Sequence, residues 1–275
     1  MRPLLILSAF LLSSSFLQAD EQLSHREIKA LFFGHDHRHQ VNAPSASPWQ
    51  AIGQLETKSG NICTATLITP SLAITAGHCL LAPPNQFDPP VALRFVASKR
   101  GFRYQRHDIK AEVSPYLVGK LKADGEGWII PDAASPYDYA LIYLPHPLPL
   151  KPIPLLSVDQ KKLQQQLVSQ HHQVTQAGYP IDHLDTLYVH TDCLVTGWAM
   201  PGVLTHRCDT LPGDSGSPFI LNTEQGWRIV AIQSSAPAAS QRDQADNRAV
   251  AVSGLMTQLS LMAQALSGHG LSLDD

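Results

Sequence analysis

Three short stretches carry residue types suited to nucleophilic chemistry. Ser215 lies in Gly213-Asp214-Ser215-Gly216-Ser217-Pro218. A serine hydroxyl is a poor nucleophile at neutral pH, so it needs a base for its proton and donors for the oxyanion its attack creates. The flanking glycines let the backbone turn tightly and approach a substrate, so the N–H groups of Gly213 and Ser215 are expected to form an oxyanion hole. The plainer alternative is a Gly/Asp/Ser/Pro turn between two strands. Two further stretches decide between them. His78 stands in Thr75-Ala76-Gly77-His78-Cys79, after the apolar run Leu72-Ala73-Ile74. Asp138 stands at the mouth of Tyr139-Ala140-Leu141-Ile142-Tyr143-Leu144, whose composition argues for a buried strand. A carboxylate entering such a strand is costly unless hydrogen-bonded, and an imidazole N–H is a suitable partner. Asp88, Asp108 and Asp132 are rival carboxylates, but none directly precedes so long an apolar strand.

The chain order is therefore base, acid, nucleophile, and order separates folds that share this chemistry. An α/β-hydrolase would place the nucleophile first and want glycine two residues after it, where this chain has Ser217. A subtilisin-like order would need an early aspartate, such as Asp20 or Asp36, and alternating strands and long helices that the sequence lacks. The stretches around His78, Asp138 and Ser215 resemble the three motifs of trypsin-like serine peptidases. Asp36-His37-Arg38, Pro48-Trp49-Gln50-Ala51-Ile52-Gly53 and Cys63-Thr64-Ala65-Thr66-Leu67-Ile68, with Gly178-Tyr179-Pro180 and Cys208-Asp209-Thr210, resemble the bacterial branch that includes the glutamyl endopeptidases. The likeness runs from about Phe33 to the last strand.

That resemblance implies an all-β protein of two six-stranded antiparallel barrels of the chymotrypsin type with a carboxy-terminal helix. The triad would lie in the cleft between them, His78 and Asp138 from the first barrel and Ser215 from the second. It implies an endopeptidase working by acyl transfer, with Ser234 hydrogen-bonded to the buried aspartate. A base that must be neutral implies activity falling below about pH 6 to 7. Asp209 stands at the spacing before Ser215 where trypsin places its pocket acid, which implies cleavage after Lys or Arg. The other reading is that Asp209 hydrogen-bonds turn amides and meets no substrate. Thr210, Gln233, Ser235 and Ala236 are candidate pocket walls. Glutamyl endopeptidases use a histidine where this chain has Gln233, which sets Glu preference in question. Asp214 implies pairing with a newly cut amino terminus, for which Lys29-Ala30 is a candidate cut. The rival functions are a silent or zymogen-locked binding protein on the same scaffold, which would be expected to lack a catalytic group, and a non-proteolytic esterase.

The opening residues read as a targeting device. Arg2 supplies a positive start, residues 4–12 a short apolar run, and Leu17-Gln18-Ala19 a small residue before Asp20. The run is too short to span a bilayer, so export to periplasm or medium is expected, with no stable membrane insertion after cleavage. Four cysteines permit three pairings. Pairing Cys63 with Cys79 and Cys193 with Cys208 closes two loops of about 15 residues, each worth roughly 3 kcal/mol in the chain-entropy model. Without a CxxC pair, disulfides are favoured over zinc. His35-Asp36-His37-Arg38-His39 invites a metal reading, since alternating histidines on a strand share a face. It also reads as a solvated turn with an acidic-basic pair, and neither metal nor cofactor is expected. A net charge of −3 without runs of like charge argues against nucleic acid and anionic membranes as partners. A peptide or protein substrate and a monomer are expected.

The expected divisions are a signal peptide at 1–19, a possible pro-segment at 20–32 and a peptidase domain at 33–275. That domain divides into a first barrel (33–147), linker and helix (148–172), second barrel (173–254), and helix and tail (255–275). Strands are expected at 51–55, 63–69, 72–75, 91–97, 109–113 and 139–144, then at 173–179, 186–193, 203–208, 218–221, 227–233 and 249–252. Residues 124–127, Gly197-Trp198 and 222–226 read as turns. Ser157 with Gln160 reads as a capping box for a helix over 161–170, which His171-His172 would end by complementing its dipole. Apolar spacing over 255–266 predicts the final helix.

Overall fold

The computed structural model describes residues 23–124, 127–268 and 273, so the expected signal peptide and part of the 124–127 turn lie outside the described residues. Two antiparallel sheets dominate. The first comprises β1 (Ile52–Thr57), β2 (Ile62–Thr69), β3 (Leu72–Thr75), β4 (Pro90–Ser98), β5 (Gly101–Arg106), β6 (Lys110–Val113) and β7 (Ala140–Tyr143), in the order β5-β4-β1-β2-β3-β7-β6. It is a curled sheet of seven strands where six were expected in a closed barrel. The extra strand, β5, alternates exposed and half-buried residues at the sheet's edge. Its sequence is basic and polar and carries little apolar signal.

The second sheet comprises β8 (Gln173–Gly178), β9 (Tyr188–Met200), β10 (Val203–His206), β11 (Pro218–Thr223), β12 (Gly226–Ser235) and β13 (Asn247–Ala251). Its order is β9-β8-β11-β12-β13-β10, and β9 also pairs with β10, closing a six-stranded barrel; the two-residue strand His39–Gln40 adds to β9. Gly197 and Trp198 do not turn the chain. They lie inside β9 between two register shifts against β10, as a glycine at a β-bulge does, and the reversal comes at Pro201-Gly202.

Among the described residues, three α-helices flank the sheets. α1 (His25–Leu31) begins with a capping box of Ser24 and Glu27, and its end carries Leu31 and Phe32 onto Leu211. α2 (Gln160–Ser169) is capped by Asp159, whose side chain accepts from the Lys162 amide, rather than by Ser157. A cap must directly precede the first helical residue, and Ser157 falls short of it. Leu163 and Leu167, one turn apart, bury against the second barrel's core. His171 and His172 take left-handed φ of 54° and 60°, and the His172 amide closes the helix on the Leu167 carbonyl. α3 (Met256–Ser267) packs Leu259, Met262 and Ala263 into the main core, against β7.

The cysteines pair sequentially, Cys63 with Cys79 and Cys193 with Cys208. The first bridge ties β2 to the turn after β3. Replacing Cys63 and Cys79 together by serine is expected to lower unfolding free energy by about 3 kcal/mol, read from urea denaturation, with secondary structure retained in the circular dichroism spectrum.

Candidate active site

In the first sheet, β3 and β7 run antiparallel with Thr75 opposite Ala140. The residues just past the end of β3 and just before the start of β7 therefore emerge at the same edge. His78 sits in the 3-10 turn Gly77–Leu80, and Asp138 follows the 3-10 turn Ser135–Tyr137. Asp138 has φ −78° and ψ 66°, and the Tyr139 amide donates to the Tyr137 carbonyl at 2.8 Å. This is an inverse γ-turn, a common way to enter a strand.

Asp138 is fully buried. It accepts from the His78 amide at 2.8 Å through Oδ1, and from His78 Nδ1 at 2.8 Å and Ser234 Oγ at 2.6 Å through Oδ2. Burial alone would push the carboxyl's pKa up; the field and hydrogen bonds of His78, then the Ser234 hydroxyl, hold it below the ordinary aspartate value. An ionised Asp138 makes Nδ1 the protonated nitrogen of His78. The lone pair on Nε2 then faces Ser215 Oγ at 2.9 Å.

The Ser215 loop is held from both sheets. The Ser215 carbonyl accepts from the Thr64 amide at 2.8 Å, Gly216 N–H donates to the Gln233 carbonyl, and Gln233 N–H to that of Ser217. Gly213 has φ +95°, and a Cβ there would fall 2.3 Å from the Tyr179 carbonyl oxygen. Gly216 has φ +81°, with the Thr64 carbonyl 2.2 Å from where its Cβ would stand. Both positions exclude larger residues. Among the described residues, the N–H groups of Gly213 and Ser215 donate to no protein acceptor. Two such free donors beside the Ser215 hydroxyl suit a developing oxyanion.

The expected pocket residues differ in exposure. Thr210 and Gln233 are buried, Ser235 is half-buried and Ala236 is exposed. Asp209 is buried, and its Oδ2 accepts from the His37 amide at 2.6 Å and lies 3.1 Å from His37 Nδ1. Its own amide donates to His190 Nδ1 at 3.0 Å. One oxygen of the carboxylate thus holds the segment before β1, while Oδ1 is buried without a hydrogen-bond partner among the described residues. The turn-amide reading has the right chemistry, though the amide comes from a distant segment. His190, which stacks on the His37 ring, was missed, because a single histidine on a strand carries no local signal. The ligand atoms of His37, His190 and Asp209 lie within 4.8 Å of one another, but His190 Nδ1 and Asp209 Oδ2 are already hydrogen-bond acceptors.

Next to Ser215, Asp214 is buried, accepting from the Leu211 amide at 3.0 Å. Burial raises its pKa to about 7, against the pull of that amide and of Arg38; burial likewise raises Asp209 to about 6. Arg38 itself bonds Asp36 and Asp182, its guanidinium 4.1 Å above the Phe32 ring.

The family model described as Trypsin matches residues 37–253. Among solved structures, a Glu endopeptidase in complex with MPD matches with a TM-score of 0.59 and 17% identity, covering 84% of this chain and 98% of that one. At that identity the likeness is one of fold. No curated protein matches the sequence.

The raised carboxyls set a sign for pH dependence. Between the ordinary aspartate pKa near 3.8 and the folded value of about 7, the folded chain binds more protons than the unfolded chain. The stability they contribute is therefore complete below about pH 4 and lost as pH rises to about 7. Asp214→Asn keeps an acceptor for the Leu211 amide, so its melting temperature should fall less between pH 5 and pH 8 than that of the wild type. Equal slopes for the two proteins would show that Asp214 does not titrate in this window.

Proposed function

We propose, from the premise that the chain belongs to the trypsin family and is a trypsin-like serine endopeptidase, that His78, Asp138 and Ser215 are its catalytic triad and that it acts after export. The observation that carries the reading is the unbroken hydrogen-bonded series from Asp138 through His78 to Ser215.

In this mechanism Ser215 Oγ attacks the carbonyl carbon of the scissile peptide bond, and its proton passes to His78 Nε2. The carbonyl oxygen becomes an oxyanion, met by the Gly213 and Ser215 amides. As the C–N bond breaks, Nε2–H protonates the leaving amine and an ester of Ser215 remains. Water then attacks that ester, with Nε2 again taking the proton and returning it to Oγ. Asp138 stays ionised throughout, held by three donors, and favours the imidazolium that forms twice per cycle.

Alignment of nucleophile, base and free amide donors supports the active reading over a silent scaffold. Export is supported by the signal-like opening residues and by two disulfides, which persist in oxidising compartments. Among the described residues, no helix is long and apolar enough to cross a membrane. Asp209 holds His37 through Oδ2 and keeps Oδ1 without a partner among the described residues, so the reading commits to peptide hydrolysis and to no side-chain preference.

A fluorophosphonate is expected to add one adduct mass to the mature protein, and Ser215→Ala to abolish it. Asp138→Asn should fold but lose activity on the order of 10³–10⁴-fold, through the wrong imidazole tautomer. Labelling that persists in Ser215→Ala, or an Asp138→Asn variant of wild-type activity on a peptide library, would overturn the assignment.

A further inference from the structure

β2 crosses behind the nucleophile loop, and strand alternation sends Thr64 and Thr66 to the same face. Both are fully buried, yet their hydroxyls differ. Thr66 Oγ1 has no hydrogen-bond partner among the described residues. Thr64 Oγ1 has two: the Tyr179 amide donates to it at 3.0 Å, and it donates to the Gly213 carbonyl at 2.9 Å. Because the Tyr179 amide can only donate, the hydroxyl's single hydrogen belongs to Gly213. The backbone of Thr64 is engaged as well, its amide on the Ser215 carbonyl at 2.8 Å and its carbonyl on Thr75 Oγ1 at 2.7 Å.

These bonds fix two consecutive peptide planes. The peptide joining Gly213 to Asp214 has its carbonyl on Thr64 and its N–H on the Leu211 carbonyl at 3.1 Å, so it is held at both ends. The preceding peptide, joining Pro212 to Gly213, has its carbonyl on the Ile181 amide at 2.7 Å. In a trans peptide the N–H points opposite the carbonyl, so this bond aims the Gly213 N–H away from Ile181. Ile181 lies two residues beyond Tyr179, whose amide Thr64 also holds. At a glycine with φ +95° neither plane is restrained by a side chain, and both depend on these contacts.

We infer that Thr64 is a positioning residue for the reaction: from the first sheet, its hydroxyl fixes the Gly213–Asp214 peptide on one side of the Gly213 Cα and, through the Tyr179 amide, braces the segment whose Ile181 amide sets the Pro212–Gly213 plane that carries the oxyanion-hole N–H. The inference rests on the triad and oxyanion-hole reading above. Thr64 touches no reacting atom. Without its hydroxyl, the Gly213 carbonyl and Tyr179 amide are left unpaired in a buried site, and a shift of the backbone at Gly213 and at Tyr179–Ile181 to recover partners would turn the Gly213 N–H as well. A donor preorganised for the transition state would then be lost, while substrate binding at the surface would be little changed.

The test compares Thr64→Val, Thr64→Ser and Thr66→Val in the mature, disulfide-intact protein. The first readout is the second-order rate of Ser215 labelling by a fluorophosphonate, which needs no knowledge of the preferred peptide. The second is the split between kcat and KM on a peptide found by library screening. Thr64→Val is expected to label about 10–100-fold more slowly and to lose kcat by a similar factor with KM nearly unchanged. Thr64→Ser, which keeps the hydroxyl, and Thr66→Val, which removes an unpartnered one, should stay within about two-fold of wild type. If Thr64→Val does not fold, Thr64→Ala takes its place in the same comparison. Wild-type labelling and kcat in the variant without the hydroxyl would overturn the Thr64 assignment alone, as would a loss in Thr66→Val equal to that in Thr64→Val. A wild type that neither labels nor hydrolyses any peptide would sink the triad reading and this inference with it.

Discussion

A buried carboxylate is the constraint on which this structure turns. Asp138 has no exposure to water, and an ionised group there is tolerable only with several donors in place. Two come from His78 beside it in the first sheet, and the third comes from Ser234 at the end of β12 in the second. The acid is thus satisfied only when the two halves meet. The same junction brings Ser215 to His78, so the interaction that makes the aspartate affordable also completes the array. Register supplies the rest: Thr75 opposite Ala140 puts both turns at one edge.

The second barrel's loop has no strand of its own to hold it, and it borrows rigidity from its surroundings. β2 binds it from one side through Thr64, and Gln233 of β12 from another. The segment before β1 lies against a third side: Leu31 and Phe32 pack on Leu211, and His37 caps Asp209. Arg38 anchors that segment between Asp36 and Asp182, with only 3% of its side chain exposed. Through its Oδ2, Asp209 attaches the chain's leading segment close to the Ser215 loop.

Local signals were most legible where local physics decides. The strands around His78 and Asp138, the leucine pair of α2 and the apolar stripe of α3 follow from side-chain periodicity, which depends on near neighbours alone. Signals failed where two local readings compete. Gly197-Trp198 fits a turn or a bulge equally well, and only pairing with β10 selects the bulge. Ser157 and Asp159 are both cap formers, and the packing of Leu163 and Leu167 fixes where the helix begins. β5 escaped notice because an edge strand of alternating polarity needs no apolar run.

The sequence by itself determined which side chains were available for acyl transfer, their order along the chain and the glycines their loop requires, because those demands are written in residue type and close spacing. It also supplied the four cysteines, while Ser234 was implied by family resemblance. Only the tertiary structure decided what each buried polar group faces. Asp209 meets His37 across 172 positions of sequence, and Thr64 meets Gly213 across 149. Over such separations composition does not specify the direction of a side chain. Direction is set by which strands pair, in what register, and by the strong preference of buried donors and acceptors for a partner.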